Sequence, residues 1–241
     1  MFKKKVQYLY TFFFIVFKSH LLFSQTIDLK FDDFDTAYKN EVAIENKALT
    51  ERIANLPKQA IEINTKIAQS LRLKNYQDAL KYANTIDSIV PNNPDIKNFK
   101  GKMYARLNNT DLALFFFDEA IHLNPKNKWF YIHKASLLSE NNLNEKALQT
   151  LTNLTKIFPS WSFGYNVQAS ILSNLGRYSE SLAAYNNAIL SEPKSALIYI
   201  NRGDLFFLLN KKNNAMLDYQ NALQLEPNYK RAIEKTNINK N

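Results

Sequence analysis

The chain contains no cysteine and only four glycines among 241 residues. The first absence excludes disulfides, thiolate metal sites and a cysteine nucleophile. The second argues against a β-rich fold with many tight turns and against a glycine-rich phosphate loop. Histidine is scarce as well. Neither His122 nor His133 has an acidic residue or a second histidine three or four positions further on, so no helical metal pair is formed. Asp32, Asp33 and Asp35 lack the central glycine and distal glutamate of a calcium loop, and Asp118 with Glu119 reads as a solvated helix face. The sequence therefore predicts no catalytic residues, no metal, no cofactor and no enzymatic activity.

Acidic residues are missing from the first 24 positions, which hold Lys3, Lys4, Lys5 and Lys18. Without those four lysines the net charge falls from +9 to +5. The basic excess is thus largely terminal, and the remaining charges are interspersed. Nucleic acid is not an expected partner. The layout of residues 1–24, a basic start followed by an apolar stretch from Val6 to Phe17, is that of a secretory signal peptide. Cleavage would leave Gln25 as the mature terminus; left uncut, the segment would be an N-terminal membrane anchor. No cysteine is present to carry a lipoprotein anchor. In either case the body is expected outside the cytoplasm, periplasmic or secreted.

Hydrophobic residues make up 46% of the chain and aromatics 13%, enough for a core. Prolines stand at 57, 91, 125, 159, 193 and 227, every step being 34 residues, and only Pro94 lies off this grid. Around each grid proline the wording repeats: "LALFFFDEAIHLNP" at 112–125, "LAAYNNAILSEP" at 182–193, "MLDYQNALQLEP" at 216–227. The unit beginning at 196 carries Tyr199, Gly203, Phe206, Ala215, Tyr219, Ala222 and Pro227. The unit from 162 carries Tyr165, Ala169, Leu172, Ser181, Tyr185, Ala188 and Pro193. The unit from 94 has Gly101, Tyr104, Ala113, Phe117, Ala120 and Pro125, and that from 128 has Tyr131, Ala135, Leu138, Ala147, Leu151 and Leu154. The unit from 60 fits least well, because Ile67 and Ile86 stand where small residues are wanted. A small residue lets two antiparallel helices approach closely, an aromatic fills the space beside it, and proline ends the unit because it cannot continue a helix.

A fixed period of this length signals a stacked-helix array, and these residues resemble the tetratricopeptide repeat family. The resemblance implies an all-α, right-handed α-solenoid of helix–turn–helix units, with an N-terminal helix and a C-terminal capping helix. The expected organisation is signal peptide or anchor 1–24, acidic lead-in and N-terminal capping helix 25–59, and repeats at 60–93, 94–127, 128–161, 162–195 and 196–229. A capping helix and tail follow at 230–241. Within the second of these segments, 36–56 reads as the capping helix, with a decayed sixth repeat as the alternative, and "DLKFDDFD" reads as a flexible lead-in.

In the family, first helices line a concave groove that holds protein segments. Mapping its groove places onto this chain gives Asn98, Lys102, Trp129, Ser136, Phe163, Asn166 and Ser170 as the partner-binding set. Asn and Ser can bond a peptide backbone, and Trp and Phe offer anchor area. Leu197, Ile200 and Phe207 are expected to lie under the terminal helix. The lysine–asparagine clamp by which some relatives hold a chaperone tail is not matched. The resemblance therefore implies a non-enzymatic binding module that docks a peptide or helix of an envelope or secreted partner. The alternatives are a structural subunit of an envelope assembly, using its convex face or ends, and a glycan-binding accessory protein. Membrane contact is expected only through an uncleaved N-terminus.

Overall fold

The computed structural model describes residues 34–238. The segments 1–24 and 239–241, and most of the acidic lead-in, lie outside the described residues. Twelve helices and no strand are found among the described residues. They fall into two compact units: the first spans Ala43–Leu143, and the second takes the residues up to Val42 and those from Asn144 onward.

In the first unit, α1 (Thr36–Ala54) contributes its residues from Ala43. It is followed by α2 (Lys58–Arg72), α3 (Tyr76–Ile89), α4 (Pro94–Arg106), α5 (Thr110–Leu123) and α6 (Lys128–Glu140). Helices pack with their chain neighbours, α2 on α3, α3 on α4, α4 on α5 and α5 on α6, and α4 also meets α6. Ile67 and Ile86, too large for the repeat pattern, are buried in a core with Ala60, Ala79, Ala83, Phe99 and Met103. Four helices in this unit start alike. Asn75, Asn93, Asn109 and Asn127 each accept a backbone N–H of the first turn of α3, α4, α5 and α6, which satisfies a donor the helix itself leaves unmet.

The second unit holds Phe34 and Asp35, the start of α1, and then α7 (Asn144–Ile157), α8 (Ser162–Asn174), α9 (Tyr178–Ser191), α10 (Ala196–Leu208), α11 (Lys212–Leu225) and α12 (Lys230–Ile238). Here α7 packs on α8, α8 on α9 and α10, α9 on α10, and α10 on α11 and α12. Arg202, which replaces the leucine of the repeat pattern, is held as a fork on Asp218 at 2.8 and 2.7 Å, with Asn186 accepting a third bond. Its guanidinium also lies 5.7 Å from the ring centroids of Tyr199 and Phe206. The substitution is thus accommodated by a buried carboxylate and two aromatic faces.

Two expectations need correction. Phe207 remains 45% exposed. Of the three residues expected under the terminal helix, Ile200 shares a core with Tyr229 and Ala232 at the end of the chain, together with Ala196, Ala215, Tyr219 and Ala222. The expected flexible lead-in does not extend to Phe34 and Asp35, which are both buried, Asp35 completely.

Candidate functional site

The helix expected as an N-terminal cap over 36–56 forms as α1, but its partners lie at the starts of the first helices of several repeats. In the first unit Arg52 grips Asp95, at the start of α4, with two bonds of 2.7 and 3.0 Å. Its Nη2 also reaches Glu45 at 2.8 Å. Glu45 in turn accepts a bond from the Asn127 side chain, the N-cap of α6, at 3.2 Å. In the second unit Glu41 accepts the indole N–H of Trp161, which precedes α8, at 3.0 Å.

Asp35 makes the densest set of contacts. One oxygen accepts the Tyr38 N–H at 2.9 Å and so caps α1. The other accepts the Ser195 hydroxyl at 2.6 Å and the Leu197 N–H at 2.9 Å, at the start of α10. One carboxylate thus caps two helices. Glu226 Oε1 accepts the Thr36 N–H at 2.6 Å. Around this cluster Phe34 stacks on Tyr38 at 4.3 Å, and Tyr38 lies 4.7 Å from the Phe163 ring, which is 5.5 Å from Trp161.

The sequence-derived groove residues are placed as follows. In the first unit Asn98 is buried and its Oδ1 lies 2.9 Å from His133 Nδ1. Lys102 is half-buried; desolvation pulls its ammonium down to about 8 against the opposing pull of Glu45 and Asp95. Burial, with Lys102 adding to it, holds the His133 imidazole well below its usual value. Trp129 is only 2% exposed, and Ser136 is buried. In the second unit Phe163 is buried within the aromatic cluster. Asn166 is 0% exposed and accepts from Asn201 Nδ2 at 3.1 Å. Ser170 pairs with Tyr185 OH at 3.1 Å. Most of the set is therefore covered by the protein itself.

Two family models described as tetratricopeptide repeat match the chain, one over residues 94–127 and one over 166–230. The chain carries tetratricopeptide repeats over these residues. Solved structures share the fold. MamA 41-end from Desulfovibrio magneticus RS-1 aligns with a TM-score of 0.59 and 17% identity, over 73% of this chain and 99% of that one. TTC0263, a thermophilic tetratricopeptide-repeat protein in Thermus thermophilus, gives 0.55 and 15% over 74% and 97%. YrrB, described as a tetratricopeptide-repeat protein with an unusual peptide-binding site, gives 0.53 and 15% over 74% and 92%. At these identities the likeness is one of fold. A comparison with curated proteins gave no significant match.

The tetratricopeptide repeats support a protein–protein interaction scaffold built on an all-α helical-repeat fold. Among the described residues no group of three acidic or histidine side chains is arranged to hold a metal ion, and no helix is long and apolar enough to cross a membrane. Sequence reasoning missed Asp35, Glu41, Glu45, Arg52 and Trp161 as contact residues. Their spacing offered a partial signal. Asp35 stands immediately before a helix, with Thr36 following, the pattern of an N-cap. Nothing local to it pointed at Leu197.

Proposed function

We propose that the protein is an exported, non-enzymatic docking module that holds a peptide or helix of an envelope or secreted partner on the first-helix faces of its repeats. Within the proposed set, Lys102 and Ser170 are half-buried and offer direct contacts, while Asn98, Trp129, Ser136, Phe163 and Asn166 are covered by the protein itself and are reached only by a partner that displaces what covers them. One observation carries this reading: the starts of the first helices already hold a helical segment, α1, through charged side chains and stacked rings. A surface that seats one helix in this manner has the chemistry to seat another. Export rests on the basic and apolar pattern of residues 1–24.

The test is crosslinking capture from the envelope fraction, with the chain from Gln25 onward as bait. Two variants are compared with it: Lys102→Glu with Trp129→Ala and Phe163→Ala, and Lys102→Glu with Ser170→Glu, which leaves the buried rings in place. Helical content is followed by circular dichroism. A protein captured by the parent and lost from folded variants is the expected result. Equal capture by parent and folded variants would move the interface to the opposite face or the ends.

A further inference from the structure

The helices α4 and α6 start differently from α8 and α10. In the first unit, α4 and α6 are capped by their own Asn93 and Asn127. In the second unit, the residues preceding α8 and α10, Trp161 and Ser195, give no side-chain cap. Neither helix has an acidic residue in its first turn. The partial positive charge of such a start favours an anion, and the anion at α10 comes from Asp35, far away in sequence. Ser195, which could have accepted from its own helix, donates to Asp35 instead.

The seat has a definite shape. It takes a buried carboxylate on Ser195 and Leu197 and a ring three residues after it against Phe163, and the ring just before the carboxylate stacks on that second ring. A further carboxylate six residues on meets the Trp161 indole. These are the positions of Asp35, Phe34, Tyr38 and Glu41. One turn beyond Phe163 on α8, the Asn166 amide nitrogen is buried with no acceptor among the described residues. The face therefore keeps a donor that α1 leaves unused, and a buried donor without a partner is costly. The chain's own segment is a serviceable occupant with one bond missing.

We propose that the α8–α10 face is a receptor for the N-terminal end of a foreign acidic helix, one that begins with an aromatic–Asp pair and carries an aromatic three and a carboxylate six residues after the Asp. Residues 34–42 of this chain hold that seat until such a helix displaces them. The inference deepens the docking reading above and rests on it. The held segment is covalently tied to the seat's own chain, so it competes at an effective concentration in the millimolar range for short links. A free helix gains access when the internal one is weakened or when it supplies the acceptor that Asn166 lacks.

The probe is a fluorescein-labelled peptide of residues 34–54, and binding to the full chain is read by fluorescence anisotropy. The parent chain is expected to bind it at least tenfold more weakly than a chain carrying Asp35→Ala and Tyr38→Ala, whose own segment has lost its grip. Adding Ser195→Ala and Trp161→Phe to that chain is expected to weaken binding at least tenfold again, and a peptide with the equivalent of Asp35→Asn should bind poorly to every chain. Circular dichroism monitors folding, and Asp35→Asn alone, which keeps the side-chain shape, replaces the double variant if that one unfolds. Equal binding by parent and variant, or no binding by a folded variant, overturns the inference. If the captured partner of the previous section is retained while the peptide fails to bind, this inference falls and the docking reading stands. Loss of that partner's groove dependence removes the docking reading instead.

Discussion

A methyl group on Gly203 would stand 2.7 Å from the Tyr219 ring edge and 3.2 Å from Asp218 Cβ. Tyr219 cannot yield freely, because it is buried and its hydroxyl is bonded to Asp204 at 2.8 Å. Gly203→Ala is therefore expected to destabilise the chain by about 1–3 kcal/mol, the usual cost of overpacking a filled core, read as a lower urea midpoint with helical content retained at zero denaturant. Gly101 faces a similar limit from the Phe117 ring at 2.7 Å and the Ala113 carbonyl at 3.1 Å. Both pairs were legible in the sequence, since the small residue and the aromatic stand sixteen positions apart in each unit. The partner of Arg202 was not legible. Asp218 is an ordinary acidic residue in an exposed-looking stretch, and only the packing of α10 on α11 brings the two into a forked pair.

At the scale of the elements, the turn between the two helices of each repeat has one recurring form. Lys74, Asn108, Asn142, Gly176 and Asn210 all take a positive φ, at steps of 34 residues. The residue after each donates to the carbonyl five positions back, as Asn75 does to Ser70 and Arg177 to Leu172. This is the left-handed helix ending in which glycine or asparagine is usual. Lys74 is the exception, at φ 56°, and a Cβ in this region costs roughly 1–2 kcal/mol. Lys74→Gly is expected to raise the urea midpoint, with a gain of about 1 kcal/mol once the greater freedom of glycine in the unfolded chain is subtracted. An unchanged or lower midpoint would show that the Lys74 side chain contributes contacts of its own. The period of the turns could be read from the sequence, because asparagine and glycine recur there. The seat of α1 could not, because its residues match no repeat and its bonds span 43 to 190 positions.

For the whole molecule, two groups of the first unit should make stability depend on pH between about pH 7 and pH 3. The His133 imidazole is held well below its ordinary value by burial and by Lys102. The unfolded chain takes up this proton near pH 6.5 and the folded chain does not, so stability falls as pH drops from about 7 towards 5. Asp87 acts lower. Burial alone would raise its carboxyl, but hydrogen bonds from Lys100 and Lys97 outweigh that and hold it below the usual carboxylate range. Its contribution is present above about pH 4 and is lost as pH falls through its depressed value. Urea midpoints measured from about pH 7 down to about pH 3 should show both falls, with the first flattened by His133→Gln and the second by Asp87→Asn. A parent profile with no slope between about pH 7 and 5 would place His133 in contact with solvent.

The sequence by itself determined the repeat, its period, the helix pairs and the small residues between them, because each unit solves the same local packing problem and writes the solution out again. It also excluded thiol chemistry, because the chain has no cysteine. Only the tertiary structure decided what occupies the first-helix faces. In the sequence Asp35 falls in the lead-in, and Glu41, Glu45 and Arg52 fall in the helix expected as an N-terminal cap, none of them singled out as a contact. They become ligands of helix starts because a carboxylate can satisfy backbone and side-chain donors wherever the chain brings them together, and no periodic pattern records which donors those will be.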